Sequence, residues 1–286
     1  MKKILSGIFC LLLILSFFSG CTVKVEEPGS DNTTSNITES TNEAESTTET
    51  PTAKAVVSTE EMSTKKVIWG PGIIENHTQP KDPKDLQQTF SSLSARWLLD
   101  DDKSICLTFD EGYENGFTPS ILDTLKEKNV KAIFFVTYDF AKDNPELIQR
   151  MIDEGHTVGN HSYHHYSMDE LDIETAKEEV LFLHNYIKDN YHYTMSYFRF
   201  PKGEFSEQSL SVVQSLNYQS IFWSYAYADW DTDNQPDETT AFTNICESTH
   251  PGEIMLLHAV SKTNADILGK VIDDVRQQGY EFTVTL

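Results

Sequence analysis

The sequence has few basic residues, few cysteines and only one long apolar run. Its 286 residues carry 22 Lys and Arg against 45 Asp and Glu, which gives a formal net charge of −23. This acidity argues against nucleic acids and anionic membrane surfaces as partners. The HExxH pattern of zinc proteases is absent. No glycine-rich phosphate loop follows any predicted strand, which argues against a dinucleotide-binding sheet.

The first 21 residues have the pattern of a secretory signal. Met1-Lys2-Lys3 precede an apolar run, Ile4 to Phe18, that is short for a membrane span, and Ser19-Gly20 precede Cys21. The segment resembles the lipobox of bacterial lipoproteins. This resemblance implies that Cys21 is lipidated and that the protein is exported and anchored at the outer face of the cytoplasmic membrane or in the cell wall. A cleaved signal without lipidation and a retained anchor stay open as alternatives.

Composition divides the rest of the chain into a tether and one domain. Residues 22–66 are rich in Ser, Thr and Glu and poor in large apolar residues. Such a segment cannot offset its ordering entropy, so it predicts a disordered tether. Residues 67–286 are globular in composition and long enough for one ordinary core, with 67–103 expected to form an irregular wrap. Cys106 and Cys246 are expected to be buried free thiols.

Strand-like and helix-like segments alternate along this domain. Strands are predicted at 104–109, 132–136, 157–160, 195–198, 220–223, 254–257 and 280–284, with helical segments between most of them. Continuous apolar strands in repeated β–α units indicate a parallel sheet covered by helices. A closed or partly closed α/β barrel fits better than an open sheet, because the phosphate loop typical of open sheets is missing.

Polar residues follow the ends of several predicted strands. They are Asp110, His161, Arg199, Asp229 and His258. In parallel barrels the carboxyl ends of the strands form one rim, and that rim carries the chemistry. We therefore expect these side chains to meet at one site.

Two adjacent carboxylates and two spaced imidazoles can supply a metal site. Asp110 and Glu111 end one strand, and His161 and His165 would share a face if their segment were helical. Two imidazoles and one carboxylate form an open ligand set for a divalent cation, and the other carboxylate stays free as a base. His pairs are more often structural, and His164 is a worse-spaced alternative partner. Together the motifs predict metal-assisted hydrolysis.

Three further residues add to this site. Arg199 can hold a carboxylate bidentately and keep it ionised. Trp230 offers a wall for a sugar face or a small apolar group, although core packing is the commoner use of Trp. His258 titrates near neutrality and suits a general acid.

The order of these motifs resembles a known family. TFDEGY, HSYHH, RFPKG, DW and LLH follow one another within 103–286, as in polysaccharide deacetylases with a NodB homology domain, and most of all in the delta-lactam-biosynthetic muramic acid de-N-acetylases. The resemblance implies a distorted (β/α)7 barrel that removes N-acetyl groups from peptidoglycan, with N-acetylmuramic acid as the substrate. N-acetylglucosamine polymers and an inactive glycan-binding lipoprotein stay open, as does a sporulation or a vegetative role.

The resemblance also implies a role for each matching residue. Asp110 would be the base that Arg199 orients, and His258 would protonate the leaving amine. A divalent cation, with zinc as the first candidate, would be held by Glu111, His161 and His165. The remaining matches would bind substrate or its oxyanion: Lys202 through its backbone N–H, and Trp230, Leu257 and Asp229 around the pocket. A peptidoglycan strand is the expected partner, and no obligate protein partner is expected.

Three positions depart from the family pattern. Glu111 stands where the family usually has Asp and the subgroup Asn, so either the ion must shift or the longer side chain must fold back for Glu111 to reach a metal. Ala226 stands where many members have an Asp that orients the catalytic histidine, so His258 is expected to lack that partner. Lys202 stands where the subgroup has Arg.

Overall fold

The computed structural model describes residues 58–72, 74, 76–101 and 103–286. The predicted signal segment with Cys21, and most of the predicted tether, lie outside these residues. Within these ranges, no helix is both long enough and apolar enough to span a bilayer.

A curled parallel sheet forms the centre of the domain. The described strands are β1 (Val67–Ile68), β2 (Ala95–Arg96), β3 (Ser104–Glu111), β4 (Ile133–Val136), β5 (Thr157–Asn160), β6 (Tyr197–Phe198), β7 (Glu204–Phe205), β8 (Gln219–Ile221), β9 (Ile254–His258) and β10 (Glu281–Phe282). The main sheet has the order β10-β3-β4-β5-β6-β8-β2, and β9 also pairs with β3. All of these pairings are parallel. The predicted parallel α/β architecture is therefore confirmed.

The two sides of the sheet curl toward each other. A parallel bridge between Tyr225 and Met255 connects the segment after β8 to β9. Since β9 also pairs with β3, the strand ends of the whole sheet are gathered around one opening. This arrangement is the partly closed barrel that the strand pattern favours, and β1 and β7 form a separate antiparallel pair.

Helices cover the outside of this sheet. They are α1 (Lys81–Thr89), α2 (Thr118–Glu127), α3 (Tyr138–Asp143), α4 (Pro145–Asp153), α5 (Ile173–Tyr191), α6 (Glu207–Ser215), α7 (Glu238–Ser248) and α8 (Lys262–Gln277). Side-chain caps stabilise the starts of several helices. Asp172, just before α5, accepts a hydrogen bond from the N–H of Thr175, and Ser261, just before α8, accepts one from the N–H of Asn264. Every residue of β3 is buried, as expected for a strand covered on both faces.

The N-terminal part of the domain is more regular than its sequence predicts. The segment expected as an irregular wrap contains α1 and β2, and β2 pairs in parallel with β8. Part of the predicted tether also packs on the domain, since Thr59 Oγ1 lies 2.8 Å from Ser211 Oγ and the Gln208 N–H donates to the Ser63 carbonyl at 3.0 Å. The sequence shows no periodic pattern for these features, because β2 has only two residues and the tether contacts involve single polar residues. Cys106 and Cys246 are free and buried, as predicted.

Gly159 in β5 is required by the ring of Phe135 in β4. A Cβ at Gly159 would lie 2.5 Å from Phe135 Cδ1 and 2.6 Å from Cε1. Gly159→Ala is therefore expected to lower the free energy of unfolding by about 1–3 kcal/mol, because the buried ring must move. Denaturant unfolding measures this. Gly70→Ala is the control, since nothing lies within 4 Å of its added Cβ. Equal unfolding midpoints for the two variants would contradict the packing described here.

Candidate active site

Asp110 lies near the carboxyl end of β3 and lines a cavity of about 550 Å³. Its Oδ1 accepts a hydrogen bond from Arg199 Nη1 at 2.9 Å. Burial alone would raise the pKa of Asp110, but the charge of Arg199, with smaller contributions from His161 and His258, lowers it below the usual value. Asp110 is therefore ionised, with one oxygen tied to Arg199.

Arg199 follows β6 and is completely buried. Its Nη1 also donates to Thr108 Oγ1 at 2.7 Å, while Nε and Nη2 donate to the carbonyls of Ile221 and Phe222 at 3.1 and 3.2 Å. Arg199 therefore gives Asp110 one hydrogen bond instead of the bidentate pair that the sequence suggested, because the Thr108 hydroxyl and two backbone carbonyls accept its other hydrogen bonds. The guanidinium carbon lies 4.2 Å from the centroid of the Phe135 ring, a cation–π contact.

His161 and His165 turn their rings toward each other. His161 Nδ1 lies 2.8 Å from the Arg199 carbonyl. A carbonyl can only accept, so Nδ1 carries the proton and Nε2 keeps its lone pair. This Nε2 lies 3.2 Å from His165 Nε2. The segment is a loop and not a helix, so the two rings meet without sharing a helix face: Ser162 and His165 have φ of 73° and 61°, in the left-handed region.

The two imidazoles fit a divalent cation. Burial lowers the pKa of both, and burial together with His161 lowers that of His165 to about 3, so both are in the neutral form that binds metals. Two nitrogens on one tetrahedral zinc ion lie about 3.3 Å apart, close to the separation seen here. Asp110 Oδ2 lies 3.5 Å from His161 Nε2. Across the described part of the chain, no complete group of three His, Cys, Asp or Glu ligands is found.

Glu111 does not join the histidines, so this geometry does not bring it to the metal site for which the sequence predicts it. Neighbouring strand residues face opposite sides of a sheet, so Glu111 points away from the cavity that Asp110 lines. Its side chain is completely buried, with Oε2 3.4 Å from the Thr118 hydroxyl. Burial, reinforced by Glu114, raises the pKa of Glu111 well above its usual value. The alternative ligand His164 is also turned away, since its Nδ1 lies 2.6 Å from Glu179 Oε1.

His258 ends β9 and lines the same cavity. Its Nδ1 lies 2.7 Å from Asp229 Oδ1, and its backbone N–H donates to Asp229 Oδ2 at 2.8 Å. Burial lowers the pKa of His258, but the charge of Asp229 outweighs it, so the net shift is upward. His258 therefore has the carboxylate partner that the sequence, read at Ala226, suggested was missing. Asp229 is completely buried and does not line the cavity, so this geometry does not place it where the sequence predicts a contact with substrate.

Of the remaining predicted pocket residues, two line the cavity and one does not. Lys202 and Trp230 line the cavity, and Trp230 is 61% exposed at its mouth. Lys202 has a left-handed backbone with φ of 59°, a conformation that non-glycine residues adopt at a cost in energy. Leu257 is buried behind the strand, and Leu256 lines the cavity in its place, because Leu256 shares a strand face with His258.

Two tyrosines at the site were missed from the sequence. Tyr113 and Tyr227 both line the cavity, and Tyr113 is 54% exposed. Tyr113 follows Gly112 in the motif that carries Asp110, so its position beside a strand end was a usable signal. Tyr227 lies in an irregular segment after β8, where no periodic pattern indicates which way a side chain points.

Several known proteins are similar in sequence to this chain. The polysaccharide deacetylase family profile matches residues 99–221. The chain is 42% identical over 233 residues to the peptidoglycan-N-acetylmuramic acid deacetylase PdaA of Bacillus subtilis, covering 78% of this chain and 86% of that protein. It is 31% identical over 186 residues to a peptidoglycan-N-acetylglucosamine deacetylase of Bacillus cereus, covering 64% of this chain and 66% of that protein.

A solved structure extends the likeness to the fold. The structure of B. subtilis PdaA, described as a family 4 carbohydrate esterase, matches with a TM-score of 0.74 at 39% identity, covering 77% of this chain and 95% of that one. The chain therefore belongs to the polysaccharide deacetylase family, whose fold is a distorted (β/α)7 barrel. It is a hydrolase of that family, and such enzymes in general depend on a metal ion.

The position of Glu111 leads to a test of the metal site. Glu111→Gln is expected to leave the affinity for Zn²⁺ within about threefold of the unsubstituted protein, because the side chain is buried away from both histidines. His161→Ala is expected to weaken Zn²⁺ binding by more than about 100-fold. It removes a metal ligand itself, which costs more affinity than removing a residue that only hydrogen-bonds to a ligand. Calorimetric titration of metal-free protein measures both. Equal losses in the two variants would return Glu111 to the metal site.

Proposed function

We propose that this enzyme removes the N-acetyl group of N-acetylmuramic acid in peptidoglycan, as a step toward muramic delta-lactam. One observation carries the proposal: ionised Asp110, two neutral imidazoles and His258 line a single cavity. Amide hydrolysis needs a base for water, a place for the oxyanion and an acid for the leaving nitrogen. The greater identity to the muramic acid deacetylase than to the glucosamine deacetylase favours the muramic substrate.

Asp110 acts as the general base in this proposal. Its Oδ1 is held by Arg199, and its Oδ2 faces His161 at 3.5 Å. Fixed in this way, Asp110 is aimed and charged before substrate enters, so it can take the proton of the attacking water. His161 and His165 would hold the cation, which when bound polarises a carbonyl and acidifies water; we take zinc as the first candidate.

His258 acts as the general acid. Its Nδ1 is engaged by Asp229, so Nε2 is the nitrogen left to give a proton to the leaving amine. The raised pKa of His258 keeps it protonated to higher pH than an ordinary histidine. The contact between Asp229 and His258 also weakens the case for an inactive glycan-binding protein, because His258 has a carboxylate partner although Ala226 cannot supply one.

Lys202 has two proposed contacts with the substrate. Its backbone N–H would donate to the oxyanion, alongside the cation. Among the described residues that line the cavity, Lys202 is the only Lys or Arg. Its ammonium nitrogen, Nζ, lies 3.3 Å from Ser167 Oγ. A cation at this position suits the lactyl carboxylate, which muramic acid carries and glucosamine lacks.

The place of action rests on the sequence pattern alone. We propose that Cys21 carries a lipid and holds the enzyme at the outer face of the membrane, with the Ser/Thr/Glu-rich tether giving it reach into the wall. Mass spectrometry of the membrane-extracted protein tests this, and an unmodified Cys21 or a mature chain lacking it would contradict it.

Acetate release from purified peptidoglycan tests the proposed reaction. The Zn²⁺-loaded enzyme is expected to release acetate, and to release more after an amidase has removed the stem peptides. Asp110→Asn is expected to lower kcat by about 10²–10⁴-fold, because the amide cannot accept the proton. Product analysis by mass spectrometry identifies the deacetylated sugar. Release from glucosamine alone would assign the alternative substrate, and full activity in Asp110→Asn would contradict the role of Asp110.

Lys202 gives a separate test of substrate choice. Lys202→Ala is expected to reduce kcat/KM for muramic substrates by about tenfold or more, and to leave the slower reaction on glucosamine oligomers nearly unchanged, since a charge-assisted hydrogen bond is lost only with the former. Lys202→Arg, which keeps the charge, is the matched control and should retain the preference. An unchanged ratio of the two substrates in Lys202→Ala would contradict carboxylate recognition by this side chain.

A further inference from the structure

A buried chain of hydrogen bonds joins the wall of the cavity to His258. The hydroxyl of Tyr227, which lines the cavity, donates to Asn264 Oδ1. Asn264 Nδ2 donates to Asp229 Oδ2 at 2.6 Å and to the His258 carbonyl at 3.1 Å. Asn264 and Asp229 are completely buried. The proposed reaction steps use neither Tyr227 nor Asn264.

The direction of each hydrogen bond in this chain is fixed by chemistry. Asp229 Oδ2 and the His258 carbonyl are acceptors, so the amide of Asn264 must present its NH₂ group to them. Its oxygen then faces Tyr227, whose hydroxyl must donate. Burial, and then the charge of Asp229, raise the pKa of Tyr227, so the hydroxyl keeps its proton. No other orientation of the amide satisfies all three partners.

The backbone holds Asn264 in place for this contact. Asn264 lies in the first turn of α8, and its N–H donates to the capping side chain of Ser261 at 3.1 Å. The side chain therefore projects from a fixed helix start toward Asp229. Asp229 itself lies in an irregular segment, so its carboxylate depends on such partners for its orientation.

We propose that Asn264 is a positioning residue for the deacetylation step, and that Tyr227 fixes its amide so that the cavity wall and the proton donor His258 form one rigid unit. This inference rests on the proposed role of His258. Asn264 acts through Asp229: by holding Oδ2, it keeps Oδ1 aimed at His258 Nδ1. Without that donor, Oδ2 keeps only the His258 N–H, and the carboxylate can turn away from the ring.

The charges around His258 stay the same when Asn264 is changed. The charged groups that face it are Asp229 after β8, Asp110 in β3 and Arg199 after β6, and the imidazoles of His161 and His165 after β5 are neutral. No charge is added or removed in an Asn264 variant, so a shift in the titration of His258 would report a changed pairing with Asp229. A weaker pairing with Asp229 lowers the pKa of His258, so its acid form is lost at a lower pH.

Two variants of the full-length, Zn²⁺-loaded enzyme test the inference. Asn264→Leu keeps a similar volume and removes all three side-chain hydrogen bonds of Asn264, and Tyr227→Phe removes one hydroxyl. Both should lower kcat for acetate release, by about tenfold or more for Asn264→Leu and less for Tyr227→Phe, with KM nearly unchanged. In both, the alkaline limb of the pH–rate profile should move to lower pH, in the direction of Asp229→Asn.

Thr263→Val is the matched control for both variants. Thr263→Val removes the neighbouring side-chain hydrogen bond to the Pro236 carbonyl, 2.8 Å long, and should leave the pH limb in place. A lower kcat with an unmoved limb in both variants would mean a structural role and overturn the inference, as would unchanged activity. If Asn264→Leu fails to fold, Tyr227→Phe decides by the same criteria.

A second readout separates this inference from the proposed function. NMR titration of the His258 ring requires no turnover and should give a lower pKa in Asn264→Leu and Tyr227→Phe than in Thr263→Val. Absence of acetate release from any glycan would remove the proposed reaction while the titration still decides the role of Asn264. An identical His258 pKa in all three variants would overturn the inference even if acetate is released.

Discussion

The hydrogen bonds of the buried Arg199 side chain connect the strands of the barrel with the active-site residue Asp110. Its guanidinium donates to Thr108 and Asp110 of β3 and to backbone carbonyls at the end of β8, while its own carbonyl accepts from His161 Nδ1. A buried charge that loses its partner is strongly destabilising, so the curled sheet must keep these groups together. The ionised state of Asp110 and the free Nε2 of His161 thus both depend on one residue.

The alternation of side chains between the two faces of a strand decides which other residues reach the site. Asp110 and His258 are register partners in the paired strands β3 and β9, and both line the cavity. Their neighbours Glu111 and Leu257 are buried on the other side of the sheet. The base, the paired imidazoles and the acid therefore come from three different strand ends that closure of the sheet brings to one opening.

Much of this could be predicted from the sequence, and the failures have a common cause. Apolar runs and polar strand ends identified the parallel barrel and most of the rim residues, because both depend on position along a strand. The motifs did not show which of two adjacent residues reaches the cavity, so Glu111 and Leu257 were misplaced. The loop that pairs His161 with His165, and the contact of Asp229 with His258, depend on left-handed or irregular backbone that leaves no periodic signal.

The coupling between Arg199 and Asp110 holds the site together, and it can be measured without an activity assay. A double-mutant cycle of Arg199→Met and Asp110→Asn, read as free energies of unfolding in denaturant, isolates the pair. Because the two side chains are buried and share a hydrogen bond, the cycle should give a coupling of about 1–3 kcal/mol, with the double variant less destabilised than the sum of the single ones. If the changes in the free energy of unfolding of the two single variants add to that of the double variant, the two side chains are not coupled, which would contradict the buried pair described here.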